Sequence, residues 1–274
     1  MSQSGYFLFI LGLSLVGPEV LANEPGPVDI TRGTRLTQSG DRIDYLLLIP
    51  SEDAQPLSLP LPALVLTHGF ARDYGRHLDS AIAYASAGII IMLPNLVASD
   101  ERPIVGRREV ENTADHVRWL IARAEDPTDA LHGILDPGRI ALAGHSAGGA
   151  ISFEAAVALQ SSGIFPAALV MLDAVPYPRT LCAAARLRPL PLMSLRSEPS
   201  GCNANGSVAL LESALDFSIE SVLISAATHC DPESPTDVVC ELACGGGSEP
   251  ARATYREQTE TFLRNSFGLS PRDD

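Results

Sequence analysis

The sequence predicts an α/β protein, a mostly parallel sheet covered by helices on both faces. Three observations carry this. Short apolar runs, each long enough for one strand, alternate with stretches of helical spacing. The runs are nearly continuous rather than alternating, as in strands buried on both faces. Histidine, serine and carboxylate residues follow the ends of several runs, where open α/β sheets hold their ligands.

The elements follow in order. Tyr6 to Val16 is an apolar run broken by Gly17-Pro18, and Val20-Leu21-Ala22 resembles a small-residue cleavage site. This predicts an export leader over residues 1–22 and one domain over 23–274, although no Lys or Arg precedes the run. The run is short for a membrane span, so a secreted or periplasmic protein without stable membrane insertion is expected. After a Pro-rich lead-in, Asp41–Pro50 is a strand, and Thr31–Thr37 is its candidate hairpin partner. Ser51–Pro62 reads as a loop, and Ala63–Thr67 as a buried strand ending in His68-Gly69-Phe70. A helix at Leu78–Ala87, closed by Gly88, precedes the strand Ile89–Leu93. Arg107–Ala124 has helical spacing, with Val110, Ala114, Val117, Leu120 and Ile121 on one face. Asp126–Gly138 is a polar loop before the run Ile140–Ala143. Later strands are expected at Ala167–Leu172, Leu190–Leu195 and Phe217–Ser225, with helices at Ser207–Leu215 and Arg252–Phe267.

Composition excludes some partners. The 274 residues carry a net charge of −14, and all nineteen basic residues are arginine. Nucleic acid and anionic membrane surfaces would be repelled. The five cysteines, Cys182, Cys202, Cys230, Cys240 and Cys244, lie in the second half in loop-like sequence. In an exported chain this favours disulfides that pin loops, with one thiol left over and a connectivity the spacing does not give.

The chemistry centres on Gly144-His145-Ser146-Ala147-Gly148, a G-x-S-x-G pentapeptide between an apolar strand and a small-residue helix start. Such a strand–turn–helix leaves the serine exposed at the tip of a strained turn whose neighbours must be small. A serine hydroxyl needs a base in reach and an acid to orient that base. The chain order Ser…Asp/Glu…His leaves His229, the one histidine after Ser146, as the base. Two acids end consecutive strands. Asp173 is preferred because it follows a strongly apolar run directly, and Glu198 is the alternative, expected otherwise to line the pocket. Oxyanion donors are expected from the backbone N–H groups of Phe70 and Ala147. His68 and His145 read as shaping and packing residues, and His77, His116 and His132 as structural ones. No metal is expected: His229, Cys230, Asp231, Cys240 and Cys244 match no zinc spacing, and the acidic run Asp231…Glu233…Asp237 reads as a solvated loop.

From Leu64 to Cys244 the chain resembles the chlorophyllase branch of the α/β-hydrolases and, more distantly, bacterial polyester and cutinase-type hydrolases. LVLTHGF resembles the oxyanion segment, RIALAGHSAGG the elbow, AALVMLDAV the strand that ends in the catalytic aspartate, and ATHCDP the histidine segment. Cys240 and Cys244 resemble a downstream cysteine pair. Ala147 stands where that branch often carries arginine. The resemblance implies an α/β-hydrolase fold and supports Asp173 over Glu198 as the acid. The expected activity is that of an exported serine carboxylic-ester hydrolase, without cofactor, acting on a small-molecule or lipid-like ester. Acyl transfer through the same residues and a non-catalytic binding role are the alternatives. Tyr177 and the Val175–Pro191 loop are expected to shape the pocket.

Overall fold

A computed structural model describes residues 28–51, 58–97 and 106–270. The expected leader and its cleavage site lie outside the described residues. Eight strands form one sheet: β1 (Val28–Leu36), β2 (Arg42–Pro50), β3 (Leu61–Thr67), β4 (Ile90–Pro94), β5 (Leu135–His145), β6 (Leu169–Leu172), β7 (Leu192–Arg196) and β8 (Glu220–Leu223). Their order across the sheet is β1-β2-β4-β3-β5-β6-β7-β8. β2 is antiparallel to both neighbours, and β3 to β8 pair in parallel.

Every residue of β3, β4 and β6 is buried, because helices cover both faces. Alternate residues divide between two cores. Val65, Met92 and Leu142 pack with Val110, Val117 and Leu120 of α2 (Arg107–Glu125) and with Ile151 and Phe153 of α3 (Ala147–Ser161). Leu64, Ile91 and Val170 pack with Tyr84 of α1 (Leu78–Ser86) and with Phe262, Leu263 and Phe267 of α7 (Glu249–Phe267).

The register positions the site. Thr67 of β3 pairs with Gly144 of β5, His145 of β5 with Leu172 of β6, and Leu172 with Leu195 of β7. These strands therefore end at nearly one level, and the residues just beyond them share one edge of the sheet.

Three expectations change. β5 begins at Leu135 within the segment read as a loop, because Leu135 pairs with Leu61. β8 occupies only Glu220–Leu223 of the longer run. Two helices lie in segments read as loops, α4 (Pro178–Ala184) and α6 (Val238–Cys244), so Cys182, Cys240 and Cys244 are helical. The remaining helix, α5 (Val208–Ser213), falls within the predicted Ser207–Leu215 segment.

Candidate active site

At the end of β5 the chain turns directly into α3, with Ser146 between them at φ 54° and ψ −121°. A non-glycine residue there costs on the order of 1–3 kcal/mol and persists only when its surroundings hold it. Here Ser146 N–H donates to the Leu172 carbonyl at 3.0 Å, and its own carbonyl accepts from Val175 N–H at 3.0 Å. The glycines around it are required by space. A Cβ on Gly144 would enter the Gly148 carbonyl, and one on Gly148 would enter the carbonyls of Thr67 and His68. On Gly149 it would lie 2.6 Å from Ala174 Cβ, where α3 crosses the segment after β6.

Asp173 follows β6 and is 1% exposed. Its Oδ1 accepts from Ser197 N–H at 3.0 Å, and its Oδ2 from Ser197 Oγ at 2.5 Å. Asn203 Nδ2 adds longer contacts at 3.3–3.4 Å. His229 Nδ1 lies 2.6 Å from Asp173 Oδ2, and His229 Nε2 lies 2.9 Å from Ser146 Oγ. The carboxylate can only accept, so Nδ1 carries the proton and Nε2 is left to accept from the serine hydroxyl. Burial pushes the Asp173 carboxyl up, but the bond and charge of His229 and the two Ser197 donors outweigh it, leaving its pKa below the ordinary value. The three residues named from sequence thus form one hydrogen-bonded chain, able to move a proton from Ser146 to His229.

Glu198 does not join them. Its side chain is exposed and does not line the cavity beside Ser146. Its backbone is used instead, since its N–H donates to Ala227 and its carbonyl accepts from Asn203. β7 runs one residue past Leu195, and the chain then turns so that Ser197, not Glu198, meets Asp173.

The loop after β3 approaches Ser146 closely. A Cβ on Gly69 would sit 3.2 Å from Ser146 Cβ, and Phe70 lines the same cavity as Ser146. Ala147 opens α3 next to the serine. His68 shapes this loop: its Nε2 accepts from Leu96 N–H at 2.9 Å, which leaves Nδ1–H to donate to the Gly69 carbonyl at 2.8 Å. Burial lowers its pKa to about 4, so it is neutral. His145 donates through Nε2 to the His229 carbonyl at 2.8 Å, and burial holds its pKa well below the usual histidine value.

Sequence reasoning missed the residues that brace this arrangement. Ser197 and Asn203 brace Asp173. Arg72, two residues beyond Phe70, makes paired bonds of 2.8 and 2.7 Å to Glu233, four residues beyond His229. Asp237 lies 3.0 Å from the same guanidinium and 3.3 Å from Arg76. Asp231 and Glu233 are buried, so the acidic run is not a solvated loop. Asp231 accepts from Thr228 and Ser248 N–H groups, which fixes the turn that presents His229. No signal short of the tertiary fold joins these residues, which come from separate loops.

A cavity of about 220 Å³ adjoins Ser146. Gly69, Phe70 and Arg72 line one side, and Val239, Cys240, Ala243 and Cys244 of α6 the other. Tyr177 and the Val175–Pro191 segment do not line it. Tyr177 packs instead on the α2–α3 core, with the Arg179 guanidinium 4.8 Å from its ring centre. Disulfides Cys202–Cys244 and Cys230–Cys240 tie α6 to the segments beside Asn203 and His229. Cys182 is a free, exposed thiol. The sulfurs of Cys230, Cys240 and Cys244 lie within 4.8 Å of one another, but each is committed to a disulfide and offers no thiolate to a metal.

Residues 107–191 match the family model of the thioesterase domain. The chain is similar in structure to a dienelactone hydrolase from Anabaena variabilis, with 15% identity, a TM-score of 0.61, and 87% of this chain and 98% of that one covered. For a bacterial heroin esterase the identity is 16%, the TM-score 0.59 and the coverage 88% and 85%. For a dienelactone hydrolase-like promiscuous phosphotriesterase from metagenomic libraries, the values are 16%, 0.65, and 89% and 100%. Comparison with curated proteins gives no sequence match. The chain has the α/β-hydrolase fold.

Proposed function

We propose that this protein is a serine hydrolase of carboxylic esters that works through an acyl-enzyme. The observation that carries the reading is the unbroken chain from Ser146 Oγ through His229 to Asp173, with links of 2.9 and 2.6 Å. Ser146 Oγ attacks the ester carbonyl carbon while its proton passes to His229 Nε2. The carbonyl π pair moves onto oxygen, and the Phe70 and Ala147 N–H groups stabilise that oxyanion. As the oxyanion collapses, the carbon–oxygen bond to the alcohol breaks and the alcohol leaves with the proton from His229. Water then repeats the sequence on the acyl-enzyme and releases the acid. Asp173 stays ionised, holds the imidazole tautomer and stabilises its cation.

Export belongs to the same proposal. Its supports are the apolar N-terminal run and two disulfides, which persist in oxidising compartments. Among the described residues, no helix is long and apolar enough to cross a membrane. Residues 23–274 are read as one domain on a single sheet.

The test is labelling by a fluorophosphonate and turnover of p-nitrophenyl esters, with Ser146→Ala beside wild type. The wild type should label and turn over, and Ser146→Ala should lose labelling and at least about 10⁴-fold in kcat. A wild type that neither labels nor hydrolyses any ester sinks the reading.

A further inference from the structure

The wall formed by α6 is unusual in how it is held. A short helix normally docks by its apolar face, yet in α6 only Cys240 is buried. Val238, Val239 and Leu242 are 63%, 67% and 83% exposed. The helix is fixed instead by its two disulfides and by ion pairs, Asp237 at its N-cap lying 3.0 Å from the Arg72 guanidinium and Glu241 3.3 Å from that of Arg252. Its apolar side chains are therefore not spent on the core. Val239 and Ala243, one helical turn apart, line the cavity beside Ser146.

The charge of the cavity points the same way. Arg72 is the one cation among its described lining residues, and Glu233 and Asp237 already neutralise its guanidinium. The chain contains no lysine. Nothing there can compensate a phosphate or carboxylate on the ligand, and the net charge of −14 would repel it. Size sets the last limit. An apolar cavity of about 150 Å³ takes one benzene ring, so about 220 Å³ seats a single ring or a short alkyl chain, with the rest of the ester in the open mouth of the cleft.

We propose that α6 is the specificity wall of this site, and that it selects uncharged esters whose compact apolar group packs on Val239 and Ala243. This rests on the ester-hydrolase reading above and adds its substrate class. It rejects phosphate-bearing thioesters, even though part of the chain matches a thioesterase model. The disulfides give the wall its register, since Cys230 adjoins His229 and Cys202 adjoins Asn203.

The experiment measures kcat/KM over p-nitrophenyl esters of rising acyl length, acetate esters of rising alcohol length, and an acyl-coenzyme A. Wild type, Val239→Asp and Ala243→Trp are compared, with fluorophosphonate labelling as the control for Ser146. In one ester series, wild-type kcat/KM should rise by up to about fourfold per methylene and then fall. Val239→Asp should flatten that rise, and Ala243→Trp should move the optimum to shorter chains. Given time, both variants should still label to completion with a probe of short alkyl chain, which shows that Ser146 remains reactive. Both side chains are exposed, so neither change threatens the fold, and an unchanged melting temperature verifies this. A labelling wild type whose profile survives both substitutions, or that prefers the acyl-coenzyme A, overturns the wall alone. A wild type that does not label overturns the parent reading with it.

Discussion

Asp173 shows how single residues set the site's chemistry. A carboxylate that is 1% exposed would be driven toward its neutral form, yet it is held ionised by donors on both oxygens. Ser197 supplies two of them, through its N–H and its hydroxyl. Hydrogen bonds to charged groups contribute about 1.5–3 kcal/mol, so the loss of one is measurable. Ser197→Ala keeps the backbone donor and removes the hydroxyl at 2.5 Å. The carboxylate, now more basic, should hold its proton-bearing partner more tightly. The expected result is a kcat about tenfold lower, KM little changed, and the acid limb of the kcat/KM profile moved to higher pH. A defect in packing alone would lower the melting temperature without moving that limb. Asn203 Nδ2 bridges the Ser197 hydroxyl at 3.0 Å and the Glu198 carbonyl at 2.9 Å, so it fixes the donor as well as the acceptor.

Among the elements, α6 depends most on covalent support. Cys202–Cys244 closes a 42-residue separation and Cys230–Cys240 one of 10. Chain-entropy arguments give the longer bridge about 4 kcal/mol and the shorter one about 2.7 kcal/mol. Cys202→Ser/Cys244→Ser should therefore lower the melting temperature by roughly 10 °C. It should also cost more kcat/KM on the preferred chain length than on the shortest ester, because the wall swings free. Equal losses on every ester would assign the bridge to stability alone. These elements also show what a sequence can disclose. β3, β4 and β6 were legible because burial on both faces writes an unbroken apolar run. The elbow was legible because Gly144, Gly148 and Gly149 answer to local clashes. Asp173 could be preferred to Glu198 because it adjoins the apolar end of β6. By contrast, Val238, Val239 and Leu242 face outward, and a helix not patterned for a core reads as a loop. Ser197, Arg72 and Glu233 carry no local signature, since the partners they brace lie in distant segments of the chain, and the turn that Asn203 closes is local but shows no link to Asp173 in sequence. The prolines and tyrosine of the Val175–Pro191 segment suggest a loop that lines the pocket, but the segment forms α4 and Tyr177 is used against the core.

At the scale of the molecule, the sheet that aligns the site also buries several histidines in neutral form, and this sets the acid limit of stability. Burial lowers the pKa of His68 to about 4 and those of His77 and His116 to about 3, the Arg35 charge adding to the effect at His116. His145 is likewise lowered by burial. In the unfolded chain these residues take up protons near pH 6.5, whereas the folded chain does not. The unfolded state then binds more protons, so stability falls as pH drops below about 6.5. The fall continues to about pH 4 for His68 and about pH 3 for the other two. Each such group contributes a slope of up to about 1.4 kcal/mol per pH unit. Asp173, with its pKa lowered, adds stability that is lost only below the ordinary aspartate value near 4. The windows overlap only below about pH 4, and between pH 6.5 and 4.5 the histidines govern. Several slopes of this size consume a net stability of about 5–15 kcal/mol within two pH units. The melting temperature should thus decline from just below pH 6.5. His116→Gln, on α2 and away from Ser146, keeps an acceptor for the Arg35 guanidinium 2.8 Å from His116 Nδ1 and removes one titrating group. It should flatten the decline while leaving ester turnover at neutral pH unchanged. A melting temperature that holds level down to pH 4 would mean that the carboxylates, and not the buried imidazoles, set the limit.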